Sequence, residues 1–326
     1  TNIKVNWEIS DDINFHKVIH SGTTKTSAHK DFTVKVDAKI SKEYNGTPIF
    51  YRFICNNYFS PIGSTITLPF DNPDLFNIAF CSCSNYPAGF FNAYKEIANN
   101  KEIDLVLHLG DYIYEYDKNG YASENSNELD RVSIPSNELI SLEDYRLRHA
   151  QYKTDKNLQL LHKNKPMIVV WDDHEFTNNT WKNGAENHSK DEGIFLNRKI
   201  NALKAYYEWM PIRENTNKTN IWRSFEVGNL FQLLMLDTRL ISREKQPDIN
   251  SFFADGVFDY QSYEKDLQKP RKLLGDKQFR WVKNTLDKKY KWSIFGQQIL
   301  IGPQYLPEAL KKIDKSLIPE YMHIYL

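Results

Sequence analysis

The chain has 326 residues, which exceeds the usual size of one domain and predicts a small domain joined to a larger one. Basic and acidic residues number 42 each, so the net charge is zero and no nucleic-acid or membrane-surface partner is expected. No apolar stretch approaches the roughly 20 residues that span a bilayer. The cysteines, Cys55, Cys81 and Cys83, are odd in number and lack C-x-x-C spacing, which argues against a disulfide framework or that type of zinc site.

Residues 1–70 are predicted to form short strands separated by turns. Apolar and polar side chains alternate from Ile3 to Ile9, and further strands are predicted at 32–40, 48–55 and 64–68. Turn-forming residues lie between them, at 11–12, 21–22, 45–46 and 61–63. This spacing predicts an all-β N-terminal domain over residues 1–72, a small antiparallel sandwich of the immunoglobulin or fibronectin type.

A different pattern begins after a predicted linker at residues 70–73. Apolar strands now alternate with helical stretches, which predicts an α/β domain over residues 73–326. Strands are predicted at 77–80, 104–109, 167–171, 230–236 and 292–295. Helices are predicted at 91–99, 142–162, 195–209 and 277–288.

Three of these strands are followed by side chains of the kinds that bind metals. The first is followed by Cys83, the second by Gly110 and Asp111, and the third by the run 172–175, Asp-Asp-His-Glu. In open α/β sheets, ligands bind outside the carboxyl ends of the strands. A buried cysteine or a capping aspartate explains the first two on structural grounds alone. Adjacent carboxylates repel each other unless a cation neutralises them, so the third run indicates a metal site.

The type of donor indicates the type of metal. Carboxylate oxygens favour calcium, magnesium or manganese, whereas a thiolate and a phenolate favour a more Lewis-acidic ion such as iron. Both kinds of donor lie at the predicted strand ends. The residues alone therefore leave the identity of the metal open.

Taken together, these motifs resemble those of the PhoD-like alkaline phosphatases, a family of calcineurin-like metallophosphoesterases. The resemblance is carried by residues 83–94, 107–115 and 171–175. Supporting matches lie at 145–152, 207–213, 236–239 and 296–298. The order and spacing run through nearly the whole chain. The resemblance implies that residues 73–326 form a four-layer α/β metallophosphoesterase domain whose C-terminal part is missing.

The resemblance also implies a bimetallic site that holds Fe³⁺ and Ca²⁺. Cys83, Asp111 and Tyr114 match the residues that bind ferric iron, and Asp111 matches a bridge to calcium. On the calcium side, Asn179 matches together with Asp172 or Asp173, and the choice between the two aspartates stays open.

The catalytic residues implied by the same resemblance are Asp173, His174 and Arg239. His174 matches a histidine that faces the phosphate. Arg213 and Arg239 are candidates to bind a phosphate through a guanidinium fork, with a structural ion pair as the alternative for each. Arg239 is favoured because it follows a predicted strand.

The implied function is hydrolysis of a small phosphate ester, diester or monoester, by a metal-activated water. A monomer in the periplasm or outside the cell is expected from the same resemblance. Two alternatives stay open: a fragment or pseudoenzyme that binds metal or phosphate without turnover, and a nuclease. A nuclease is disfavoured because the net charge is zero.

Relatives carry a further G-D-x-H motif near the C-terminus, and this chain has no match to it. Gly275-Asp276 leads into a predicted helix, and His323 has no Gly-Asp before it. We therefore expect a chain that is cut short, with weak or no turnover and a loosely ordered segment after about Gln298.

Overall fold

The computed structural model describes residues 2–213, 220–254, 257–287 and 289–302. Its first strands are β1 (Ile3–Ser10), β2 (Val18–Thr26), β3 (Pro48–Cys55), β4 (Tyr58–Phe59) and β5 (Gly63–Ile66). They form one antiparallel sheet in the order β2-β1-β3-β4, with β5 also paired to β3. Val5, Ile9 and Ile49 are its buried apolar side chains on β1 and β3, as period-two alternation requires. Within residues 2–72 the strands form this single sheet, so the sandwich stays a prediction.

Two predictions in this region are wrong. The predicted turn at 21–22 lies inside β2, where Gly22 pairs with Trp7 and a Cβ on Gly22 would lie 2.5 Å from the Trp7 ring. The predicted strand at 32–40 joins no sheet. This segment instead reaches the second domain, where Lys35 Nζ donates to the carbonyl oxygens of Tyr207 and Ile212.

The second part of the chain alternates strands and helices, and the five predicted strands are present. The strands are β6 (Ile78–Cys81), β7 (Leu105–His108), β8 (Met167–Val169), β9 (Arg223–Val227), β10 (Phe231–Met235), β11 (Phe253–Ala254), β12 (Val257–Phe258) and β13 (Trp292–Gly296). The helices are α1 (Asn92–Asn99), α2 (Leu142–Tyr152), α3 (Lys156–Asn164), α4 (Phe195–Trp209), α5 (Tyr260–Leu267) and α6 (Gly275–Thr285).

The helix predicted at 142–162 is two helices, because Asp155 begins a new one. Its carboxylate accepts hydrogen bonds from the backbone N–H groups of Asn157 and Leu158, which is the usual N-cap arrangement. The strand β9, the helix α5 and the short β11–β12 hairpin were not predicted. No helix in the described part of the chain is long and apolar enough to cross a membrane.

Two three-stranded sheets build the second part. One has the order β6-β7-β8 with all strands parallel, and the other has the order β13-β10-β9, in which β9 is antiparallel. On β10, Leu233 belongs to the main core, whereas Leu234 packs with Val282 of α6. The central strand β10 is therefore covered on both faces, which explains why its sequence is almost continuously apolar.

Most of the C-terminal segment for which loose order is predicted lies outside the described residues. The segment expected to be loosely ordered begins near Gln298, and only its first residues, up to 302, are described. His323 also lies outside them. The described end of the chain is anchored by Gln298, whose Nε2 donates to the carbonyl oxygen of Leu236 at 2.8 Å.

Candidate metal centre

Left-handed backbone brings the loops after β6, β7 and β8 together. Cys83, Gly110 and Asp111 all have positive φ angles, of 59°, 105° and 54°. Cys83 N donates to Gly110 O at 3.1 Å, which joins the first two loops. A Cβ on Gly110 would lie 2.4 Å from Asp172 N, so only glycine allows the third loop to approach this closely. Strained backbone of this kind is concentrated at functional sites.

Asp111 lies at the centre of the predicted donor set. Its Oδ2 is 3.4 Å from Cys83 Sγ and 3.3 Å from Tyr114 Oη, and its Oδ1 accepts from the His174 backbone N–H at 3.4 Å. Asp111, Asp173 and His174 each offer a ligand atom, and these atoms lie within 4.8 Å of one another. The strand ends thus converge as the sequence predicts, with thiol, phenol, imidazole and carboxylate donors around one point.

Arg239, from the loop after β10, reaches the same cluster. Its Nε lies 2.5 Å from Asp172 Oδ1, and its Nη2 lies 3.4 Å from Asp172 Oδ2 and 3.5 Å from Asp173 Oδ1. Asp237 shapes this loop, because its Oδ1 accepts from the backbone N–H groups of Arg239 and Leu240. The guanidinium is therefore a counter-charge for the adjacent carboxylates.

This one arginine does not neutralise the cluster fully. Burial raises the pKa of Asp172 to about 8, and the charge of Asp173 acts in the same direction. Burial and Asp173 also raise the pKa of Asp111 to about 6. Burial acts against ionisation of Asp173 as well, but the charges of Arg239 and His174 outweigh it and lower the pKa. A cation bound among these carboxylates would relieve the repulsion, so the donor set fits a metal.

Two fully buried glutamates, Glu115 and Glu175, were missed as site residues although both lie in the motifs above. Glu175 Oε2 accepts from the backbone N–H groups of Asp111 and Asp172, and its Oε1 accepts from that of Tyr112. One carboxylate therefore fixes the turns after both β7 and β8. The signal available in the sequence was an acidic residue directly after a candidate ligand run.

Glu115 holds His174 in place. Its Oε2 lies 2.7 Å from His174 Nδ1, and its Oε1 accepts from the backbone N–H of Asn178 at 2.6 Å. Burial acts to lower the pKa of His174, but the hydrogen bond and charge of Glu115 outweigh it and raise the pKa to about 10. Glu115 therefore fixes the His174 ring through Nδ1 and favours its protonated form.

Tyrosine side chains line the histidine. The rings of Tyr114 and His174 are stacked with centroids 4.2 Å apart, and Tyr116 and Tyr121 lie around them. Tyr112, two residues before Tyr114, points elsewhere: its hydroxyl lies 2.7 Å from His162 Nε2. Of Tyr112 and Tyr114, only Tyr114 places its hydroxyl against Asp111.

Of the remaining predicted residues, Asn179 lies next to the carboxylate cluster and Arg213 does not. The Asn179 backbone N–H donates to Asp173 Oδ2 at 2.6 Å, so Asn179 lies beside the cluster, although its own Nδ2 lies 2.5 Å from Glu186 Oε2. Arg213 is exposed and forms an ion pair with Asp37 of the N-terminal part at 2.8 Å. For Arg213, the structural alternative is the one observed.

Comparisons with known proteins agree with the geometry. A family model described as "PhoD-like phosphatase" matches residues 78–317, and one described as "PhoD-like phosphatase, N-terminal domain" matches residues 1–69. The chain belongs to the PhoD-like phosphatase family. This PhoD-like chain is 36% identical over 310 residues to alkaline phosphatase D of Bacillus subtilis (strain 168), which covers 92% of this chain and 50% of the relative.

A solved structure titled "Structure of PhoD" is also similar, with a TM-score of 0.78 and 34% identity. That match covers 92% of this chain and 56% of the solved one. The chain thus spans about half the length of the curated relative that it matches. The fold of the PhoD-like family is shown over the described residues.

Proposed function

We propose that this chain provides the metal centre of a metal-dependent phosphoesterase that hydrolyses small phosphate esters. The observation that carries the proposal is the convergence of Asp111, Asp173 and His174 at the carboxyl ends of parallel strands, with Cys83 and Tyr114 against Asp111. Acidic and phenolic donors that lie this close together, and are left under-neutralised, are suited to bind cations rather than to pack a core.

We propose Fe³⁺ and Ca²⁺ as the metals, as the family resemblance implies. Cys83, Tyr114 and Asp111 would hold the iron, because thiolate and phenolate suit a Lewis-acidic ion. Asp111, Asp173 and Asn179 would hold the calcium. Asp172 is the weaker candidate of the two adjacent aspartates, since both of its oxygens lie against Arg239. When bound, the metals would polarise the phosphoryl oxygens and acidify a water molecule.

The protein's own groups complete the chemistry. The His174 imidazolium, fixed through Nδ1 by Glu115, presents Nε2–H to an anionic phosphoryl oxygen or to the departing alkoxide. Glu175 joins the turns at Asp111 and Asp172 by accepting hydrogen bonds from their backbone N–H groups. Arg239 lies against both oxygens of Asp172 and holds this carboxyl group in position. These contacts fix the donors before substrate arrives, which is what electrostatic preorganisation requires.

Further parts of the proposal rest on the family resemblance. They are a substrate that is a diester or a monoester, a monomeric state, and a location in the periplasm or outside the cell. We also propose that the boundary between domains lies at residues 72 and 73, in a stretch without regular structure. A four-layer arrangement of the second part is supported by the packing of Val282 of α6 against Leu234.

The test is metal analysis combined with hydrolysis of chromogenic substrates. The chelated protein is reloaded with iron alone, with calcium alone or with both, and assayed on bis(p-nitrophenyl) phosphate and p-nitrophenyl phosphate. Turnover that requires metal supports the proposal, and the ratio of the two rates gives the ester class. Stoichiometric metal binding without turnover would instead support the pseudoenzyme alternative. Failure to bind metal would contradict both.

A further inference from the structure

Arg243 is a second arginine beside the cluster that the sequence motifs did not single out. It follows Arg239 by four residues, in the loop after β10, and is partly buried. Its backbone is fixed, because Arg243 O accepts from the Lys182 N–H at 2.9 Å. Its Nη1 is buried and has no hydrogen-bond partner in the described part of the chain. The loop is therefore anchored, while one buried nitrogen of the Arg243 guanidinium has no acceptor among the described residues.

The electrostatic surroundings place Arg243 in the field of the site. Burial and the positive charge of Arg239 lower the pKa of Arg243 to about 10, whereas the charges of Asp173 and Asp172 oppose this. Arg243 is thus charged at neutral pH and senses the same carboxylates that Arg239 contacts. Arg239 has Asp172 as a direct counter-ion, but no described carboxylate forms an ion pair with Arg243.

A buried donor without an acceptor is unfavourable, and a charged one more so. Arg239 and Arg243 belong to the same loop, and only Arg239 forms an ion pair with a described carboxylate, so Arg243 is the one left to pair with an incoming anion. A guanidinium fork matches the geometry of phosphate oxygens and forms strong charge-assisted hydrogen bonds with them. The ligand class that this arrangement fits is therefore a phosphoryl group, carried by an ester or as free phosphate.

We propose that Arg243, rather than Arg239, is the arginine that binds the phosphoryl oxygens of the substrate. The proposal rests on the proposed function and assigns one residue to it. Arg239 is unsuited to the role because its Nε and Nη2 are held by Asp172 and Asp173. In this division, Arg239 positions a carboxylate and Arg243 binds the anion.

The test measures binding of inorganic phosphate to the metal-loaded protein by calorimetry, together with KM and kcat for a chromogenic ester. Loss of a charge-assisted fork in Arg243→Gln should weaken phosphate about 10- to 100-fold and raise KM similarly. Arg243→Lys should recover part of the affinity, because it keeps the charge and loses the fork. Lys245→Gln removes a charge two residues away in the same loop and should change phosphate affinity less than about 2-fold.

Metal content and Tm, measured on every variant, separate a binding role from a structural one. Unchanged metal content and Tm with weakened phosphate binding in Arg243→Gln support the inference. If Arg243→Gln fails to fold, Arg243→Lys decides: affinity equal to wild type overturns the inference. Wild-type affinity in a folded Arg243→Gln also overturns it and leaves the proposed function standing. A wild-type protein that binds neither metal nor phosphate would overturn both.

Discussion

The N-terminal sheet and the carboxyl edge of the β6-β7-β8 sheet use charge in opposite ways. In the N-terminal sheet, the ion pair between Arg52 and Glu8 is about a quarter exposed, and the buried positions are mainly apolar. At the other edge, five carboxylates are buried within a few residues of one another: Asp111, Glu115, Asp172, Asp173 and Glu175. Water solvates the exposed ion pair of the N-terminal sheet. The buried carboxylates instead need hydrogen bonds or counter-charges from the protein or from a ligand.

The comparison shows which carboxylates the chain satisfies by itself. Glu175 accepts hydrogen bonds from three backbone N–H groups, and Glu115 accepts them from backbone and side-chain donors. Asp111 has only weak donors at 3.3 Å or more. The protein itself therefore satisfies the two glutamates, whereas Asp111 is left with weak partners, as expected of a residue that would bind a ligand. Substitutions of the aspartates and of the glutamates should therefore have different effects.

The largest effect is expected at Asp111. Asp111→Asn removes the charge at the centre of the donor set, so metal binding should be lost and metal-dependent hydrolysis should fall at least about 10³-fold. Initial rates and metal content are measured on the same sample. Glu8→Gln, in the N-terminal sheet, is the matched control and should leave both unchanged. Full activity in Asp111→Asn would remove Asp111 from the site.

A smaller effect is expected at Glu175, on the free energy of unfolding rather than on metal binding. Glu175→Gln replaces one acceptor oxygen with an NH₂ group. Because Oε2 faces two backbone N–H groups and Oε1 faces one, either orientation of the amide sets its NH₂ against at least one donor. The free energy of unfolding should fall by about 2–4 kcal/mol. Glu8→Gln should cost less than about 1 kcal/mol. Urea denaturation measures both, and equal losses would contradict the contrast between the two regions.

The stability of the metal-free protein should depend on pH in a way that reveals the under-neutralised aspartates. The folded-state pKa values of Asp111 and Asp172 are raised to about 6 and about 8 from 3.8, so the folded state binds more protons than the unfolded chain between these values. Stability therefore falls as pH rises through this interval. We expect Tm of the chelated protein to drop by roughly 5 °C between about pH 5 and about pH 8.5.

Asp172→Asn cannot ionise and should flatten that decline, whereas Glu8→Gln should not. Calorimetry at constant ionic strength provides the measurement. A Tm of the chelated wild type that increases across the same interval would show that the carboxylates are already satisfied without a cation.

The sequence predicted the strand ends but not the contacts that connect them. The ligand runs after β6, β7 and β8 are local patterns, and convergence follows from the parallel strands that carry them. The roles of Glu175 and Arg243 depend on atoms from other loops, which no local pattern records. The errors at 21–22 and 32–40 have the same origin. Pairing with Trp7 keeps Gly22 in a strand, and contacts with the second domain hold the segment around Lys35 outside any sheet.

The most direct test of the central claim is the visible absorption of the iron-loaded protein. Phenolate bound to ferric iron absorbs by charge transfer, and Tyr114 Oη lies 3.3 Å from Asp111 Oδ2. Tyr114→Phe should remove most of the band, while Tyr121→Phe, an exposed neighbour in the same aromatic group, should keep it. Iron content, measured in parallel, excludes simple loss of metal. An unchanged band in Tyr114→Phe, or an iron-loaded wild type without colour, would contradict the proposed metal centre.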